Sequence, residues 1–124
     1  MIIGVIGQGY VGRTFSERAV MVGHEVIGIE IDPNKNSNLK KLNYEIFPDY
    51  SPVSKCEVIV IAVPTPLDDD GKPDVAILSK VCREIKPLLR RKTLIVNEST
   101  SYPGTLRNLI LRILGDDFLL QLRP

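Results

Sequence analysis

Apolar and polar residues alternate in blocks along this chain. Three apolar, β-branched runs, "MIIGVIG", "CEVIVIAVP" and "TLIVNE", are each bounded by turn residues, which is how strands buried on both faces of a parallel sheet read. "HEVIGIEID" predicts a second strand after the first, "YEIFPD" a brief edge strand, and "DFLLQL" the last strand. Between these blocks the apolar period lengthens to three and four. Val11, Phe15, Ala19 and Val22 fall on one helical stripe, and Leu78, Val81, Cys82 and Ile85 share the face of a later helix. Asp74 stands ahead of that later helix as a start signal and Pro87 lies close to its end. Pro103 suits the first turn of a further helix with Leu106, Leu109, Ile110, Ile113 and Leu114 on its apolar side. "PNKNSNLKKLN" reads as a short polar helix or turn, and Pro73 to Val75 as a structural helix start.

Strand, helix, strand repeated in this way gives right-handed crossovers. The expected fold class is therefore α/β: a Rossmann-type, doubly wound parallel sheet in the order 3-2-1-4-5-6, three layers thick, with residues 1–124 forming one domain. In such a sheet a ligand crevice opens at the carboxyl ends of the strands, where strands one and four diverge. The glycines from Gly7 to Gly12, Glu30, Pro64 to Pro66 and Glu98 to Thr100 all fall at that end.

A chain of 124 residues supports one real core and is short for the two domains of a dehydrogenase. Net charge of +1 gives no electrostatic footprint for nucleic acid or an anionic membrane. The longest apolar stretch, Val58 to Pro64, is far below the roughly 20 residues that cross a bilayer, and the N-terminus lacks a basic leader, so a cytoplasmic protein is expected. Cys56 and Cys82 are too far apart for a CxxC motif, and His24 is the only histidine; that inventory builds no metal site. Both cysteines sit among apolar neighbours and read as buried, reduced thiols, and His24 as an exposed turn residue. The basic run Lys80, Arg83, Lys86, Arg90, Arg91 and Lys92 has no interleaved aromatics and reads as a solvated helix face and loop.

The chemistry is concentrated in "VIGQGYVGRTF". A GxGxxG pattern alone is weak, but here it follows a strand directly and opens an amphipathic helix, the context its mechanism requires. Gly7 permits the tight turn, Gly9 lets backbone approach a pyrophosphate, and Gly12 lets the helix pack closely on the strand. Around Tyr10 to Arg13 the helix start offers unpaired N–H groups and a positive dipole end to that anion. Glu30 ends the second strand 23 residues after Gly7, near the spacing of about 20 at which an acid meets the adenosine ribose hydroxyls. A carboxylate there repels a 2′-phosphate, which favours NAD over NADP. Asp32 takes that part if the strand runs further.

The segments "GQGYVG", "GIEIDPNK", "VPTPLDDDGKPD" and "ESTSYPGT" together resemble the N-terminal NAD-binding domain of the UDP-glucose/GDP-mannose dehydrogenase family, across essentially the whole chain. The form of the last segment looks most like the branch that oxidises UDP-N-acetylated hexosamines, such as UDP-N-acetylglucosamine 6-dehydrogenases. The resemblance implies NAD as cofactor, with Tyr10 and Val11 against the pyrophosphate and Glu30 and Lys35 at the adenosine ribose. It places Thr65, next to Pro64 in the "VPTP" turn, and Thr100, in "EST", beside the cofactor toward its nicotinamide. The residues themselves do not separate these threonines from Ser99.

Two departures from the family pattern shape the expectation. Only 33 residues lie between Glu30 and Pro64, where the family usually carries a longer segment with an extra helix, so the adenine side is trimmed. The resemblance also carries over no catalytic residue. The family's lysine, asparagine, aspartate and nucleophilic cysteine belong to a later segment and C-terminal domain, and neither Cys56 nor Cys82 matches that cysteine. The expected activity is NAD binding within a nucleotide-sugar dehydrogenase, without turnover by the chain alone, since hydride transfer needs a substrate held against the nicotinamide. A catalytic-domain chain or self-association is the expected partner. A non-catalytic dinucleotide-binding module that senses NAD or regulates a full-length dehydrogenase is the alternative.

Overall fold

The structure is a computed structural model that describes residues 1–36, 43–72, 74–90, 92–98, 105–115 and 119–122, with the side chains of residues 36, 105–107 and 119–122 left undescribed. Six strands form one parallel sheet: β1 (Ile2–Ile6), β2 (Glu25–Ile29), β3 (Glu45–Phe47), β4 (Val58–Ile61), β5 (Leu94–Asn97) and β6 (Leu119–Leu122). Their spatial order is β3-β2-β1-β4-β5-β6, with every pair parallel. The doubly wound order read from the alternation of blocks is the observed one.

The helices are α1 (Tyr10–Met21), the single turn α2 (Pro33–Asn36), α3 (Ala76–Ile85) and α4 (Thr105–Leu114). Strand side chains alternate between two covered faces. On one, Ile3, Val5, Val26, Val58 and Val60 pack with Ala19 of α1. On the other, Ile6, Ile29, Ile59, Ile61 and Ile95 meet Leu78, Val81, Cys82 and Ile85 of α3 and Ile110 and Leu114 of α4. Helices thus cover both sides of the sheet, the three-layer arrangement. β4 is buried at all four positions, which is why its sequence is unbroken Val-Ile-Val-Ile with no polar alternation.

The face of α1 differs from the stripe that the spacing predicts. Val11 and Val22 are exposed, and the residues turned to the sheet are Gly12, Ser16 and Ala19, with Phe15 half-buried beside them. Close approach decides this: a small-residue face lets the helix lie against β1, whereas a valine face would hold it away. His24 is half-buried rather than exposed, its backbone N–H donating to the Ala19 carbonyl at 3.0 Å where the chain turns into β2. A 3-10 turn over Ser51–Lys55, started by Pro52, places Tyr50 and Val53 in the core; no sequence pattern announced it. At the start of α3 the Asp74 carboxylate accepts from the Ala76 N–H at 3.0 Å, so the residue expected to open that helix does so by an Asx turn. Pro73 and Pro103 lie outside the described residues.

Candidate functional site

The path from β1 to α1 is built from hydrogen bonds and exclusions. Gly7 has φ +94°, a conformation that L side chains rarely adopt, and a β-carbon there would stand 2.5 Å from the Ala62 carbonyl oxygen. Its N–H donates to the Ile29 carbonyl at 2.9 Å, which pulls the turn onto the end of β2. A β-carbon on Gly12 would overlap the Gly7 carbonyl, so helix and turn touch backbone to backbone. At Gly9 the situation is reversed: φ is −74° and a β-carbon would meet nothing within 4 Å. What makes glycine suitable at Gly9 is the open space above it, not the protein below.

That space belongs to a crevice of about 510 Å³ at the carboxyl ends of β1, β2 and β4. Of the residues singled out from the sequence, Gly7, Gly9, Tyr10, Val11, Glu30, Lys35, Pro64 and Thr65 line it, and Asp32 lines it too. Gly12 does not; it is buried on the face of α1 that meets the Gly7 carbonyl, in its packing role. Thr100 and Ser99 lie outside the described residues. Tyr10 and Val11 are 80% and 50% exposed. These two apolar side chains at the helix start face the crevice and support no core.

Glu30 is only 7% exposed, yet it borders the crevice. Its carboxylate accepts from the Gln8 N–H at 3.0 Å through one oxygen and from the Asp32 N–H at 3.2 Å through the other. These two bonds, one to each oxygen, fix the plane of the carboxylate. Asp32 is committed differently, its side chain accepting from the Asn34 N–H at 3.0 Å in an Asx turn that starts α2. Of the two acids open to the ribose role in the sequence, Glu30 is the one held by the glycine turn.

Glu98, placed at this end of the sheet by the sequence, lines the crevice beside β5, and Lys80, read as part of a solvated helix face, reaches it from α3. Three further lining residues had no signal in the sequence: Ile31 and Ile77, which are exposed, and Tyr50, which is buried. Ile77 differs from the core face of α3 by one residue, a distinction that periodicity alone cannot make. The other described members of the basic run, Arg83, Lys86, Arg90 and Lys92, are exposed as expected.

Burial pushes the Tyr50 hydroxyl up to about 12, with the nearby Glu84 and Glu30 carboxylates adding to the shift. The same cause raises both thiols, Cys56 and Cys82, to about 11. Neither cysteine borders the crevice, and both are fully buried, so they are core thiols, not nucleophiles. Among the described residues no group of three or more His, Cys, Asp or Glu could hold a metal ion. None of their helices is long and apolar enough to cross a membrane.

A strand, a glycine turn with open space at its second glycine, a helix start and a buried acid at the end of β2 fit a dinucleotide. The family model described as UDP-glucose/GDP-mannose dehydrogenase family, NAD binding domain, matches residues 42–120. The chain belongs to this family. Its cofactor is NAD. CapL of Staphylococcus aureus is 34% identical over 116 residues, covering 82% of this chain and 27% of that protein. The UDP-N-acetyl-D-glucosamine 6-dehydrogenase of Pseudomonas aeruginosa is 27% identical over 119 residues, covering 82% of this chain and 28% of that protein. The chain thus spans under a third of the length of either relative. Among solved structures, a ternary complex of GDP-mannose dehydrogenase from Pseudomonas aeruginosa superposes with a TM-score of 0.86 at 26% identity, covering 100% of this chain and 36% of that one.

Proposed function

We propose that this chain forms the cofactor-binding part of a nucleotide-sugar dehydrogenase of the UDP-N-acetylhexosamine type, and that its crevice holds NAD in one orientation. The observation that carries the reading is the open space over Gly9 beside a buried acid already aimed by the Gly7–Gly9 turn. The pyrophosphate lies over Gly9 and the start of α1, against Tyr10 and Val11. Glu30 takes the adenosine ribose hydroxyls, with Lys35 beside it. Ile31 and Ile77 flank the adenine at the rim, and Thr65 stands toward the nicotinamide, a part that the family pattern also gives to Thr100.

Bound NAD supplies a hydride acceptor for the sugar's primary alcohol carbon. The contribution of the described residues is to bind and orient that acceptor and to keep water from one side of it. They offer no thiol to the crevice, since Cys56 and Cys82 sit in the core with thiols at about 11. The groups that hold the sugar and move its proton therefore come from elsewhere, either from further residues or from a partner chain. Reduced thiols and a nucleotide substrate fit a cytoplasmic setting.

Calorimetric titration with NAD and with NADP tests the reading. Saturable NAD binding, with NADP at least about tenfold weaker because Glu30 repels the added phosphate, is the expected result. Equal affinity for the two, or no binding at millimolar NAD, would overturn it.

A further inference from the structure

Gln8, between the first two glycines of the turn, is 3% exposed and does not line the crevice. Its side chain runs underneath. The amide nitrogen donates to the Val5 carbonyl at 3.2 Å and to the Ser16 hydroxyl at 3.3 Å, and the amide oxygen accepts from the Tyr44 hydroxyl at 2.7 Å. Ser16 in turn donates to the Gly12 carbonyl at 2.7 Å. Both donors and the acceptor of the carboxamide are used, by groups on β1, on α1 and on the approach to β3. A β-carbon at Gly28 would stand 3.1 Å from the carboxamide, so β2 also lies directly against it.

The main chain of this residue carries the bond that matters for the cofactor: the Gln8 N–H to Glu30 at 3.0 Å. Gln8 is flanked by Gly7 and Gly9, the residue type with the widest choice of backbone conformation. Backbone bonds hold the two ends of the turn, the Gly7 N–H donating to the Ile29 carbonyl and the Gly9 carbonyl accepting from the Arg13 N–H, both at 2.9 Å. Between them the side chain of Gln8 supplies the further constraint on the direction of its own N–H, and its strongest tie by distance is Tyr44. Burial holds the Tyr44 hydroxyl above the ordinary tyrosine value of 10.0, so it remains a donor throughout the neutral range.

We propose that Tyr44, although outside the crevice, is a positioning residue for NAD: through the Gln8 side chain it fixes the peptide that aims Glu30 at the adenosine ribose, and so sets selectivity at the ribose 2′ position. The inference rests on the assignment of Glu30 to the ribose. A merely structural tie between β3 and α1 would stabilise the fold without touching that selectivity, which is what separates the two.

The test uses the full chain, its Tyr44→Phe and Glu30→Gln variants, and three ligands: NAD, NADP, and NAD lacking the adenosine 2′-hydroxyl. Dissociation constants are read beside thermal unfolding midpoints. In the parent, loss of the 2′-hydroxyl weakens binding by about tenfold, as expected for a hydrogen bond to a charged acceptor. In Tyr44→Phe that penalty falls to about twofold to threefold and the preference for NAD over NADP narrows by a similar factor, whatever the unfolding midpoint does. If Tyr44→Phe keeps the parent's penalty and preference while Glu30→Gln loses them, the inference is wrong and the assignment of Glu30 stands. If the parent itself shows neither, or Glu30→Gln keeps both, the assignment falls and takes the inference with it. Should Tyr44→Phe not fold, Gln8→Met, which removes the acceptor and keeps Tyr44, is read by the same criteria.

Discussion

Gly12 lies so close to Gly7 that a β-carbon on the one would overlap the carbonyl oxygen of the other, whereas a β-carbon on Gly9 between them would touch nothing. The fold itself therefore excludes a side chain at Gly7 and Gly12 and leaves room for one at Gly9, where the proposed pyrophosphate site needs the space.

The two kinds of glycine are separable by experiment. Gly12→Ala forces α1 away from the turn and is expected to cost about 1–3 kcal/mol of stability, as overpacking does. Gly9→Ala, with an ordinary φ and open space, should stay within about 0.5 kcal/mol of the parent. Its NAD affinity should nevertheless fall at least about tenfold, because the methyl group occupies the approach to the pyrophosphate. Urea unfolding beside NAD titration reads both; a Gly9→Ala variant that binds NAD normally would show that the pyrophosphate lies elsewhere.

Adjacent residues on α3 make a second contrast. Leu78 is fully buried against the sheet and Ile77 is exposed at the crevice rim. Leu78→Ala should cost about 2–5 kcal/mol, the range for a buried leucine. Ile77→Ser should cost about 1 kcal/mol or less, yet weaken NAD severalfold by removing an apolar flank of the adenine. Equal loss of stability in both variants would mean that Ile77 belongs to the core.

The thiols predict an alkaline limit. Cys56 and Cys82 ordinarily ionise near 9.0 and are raised to about 11 in the fold by burial. The folded chain therefore holds these two protons over a range where the unfolded chain releases them. That stabilisation is whole below pH 9 and is lost as pH rises to about 11, on the order of 2 kcal/mol for each thiol. Tyr50, raised from 10.0 to about 12, continues the decline in the same direction. Unfolding free energy measured from pH 7 to 11 checks the slope. At pH 8 a thiol reagent should find no reactive cysteine until denaturant is added, when it should find both; rapid labelling of the native chain would contradict the buried placement.

Legibility followed chemistry at two scales. Sheet order was readable because each buried strand is a continuous apolar run and each connection carries its own punctuation, as at Asp74 and Pro87. The positions of the glycine turn and Glu30 were readable because one strand–helix–strand unit fixes their spacing, the turn where β1 passes into α1 and Glu30 at the end of the neighbouring β2. The face of α1 was misread, since large apolar residues outweigh small ones in a periodic pattern, and Val11 is apolar on account of the crevice, not the core. Gln8 and Tyr44 carried no signal at all. They lie 36 residues apart, and a hydrogen bond between polar side chains at that separation leaves no periodic trace.

The absent side chain at Gly28 has a consequence for how this chain can change over generations. Gln8 on one side and Ile46 on the other both project into the room it leaves, and Gln8 is tied down by bonds to three different elements. A larger residue at position 28 is admissible only alongside a smaller one at position 46 or a rewired position 8. Drift at these three sites is therefore correlated, and lineages that part company at one of them are expected to differ at another.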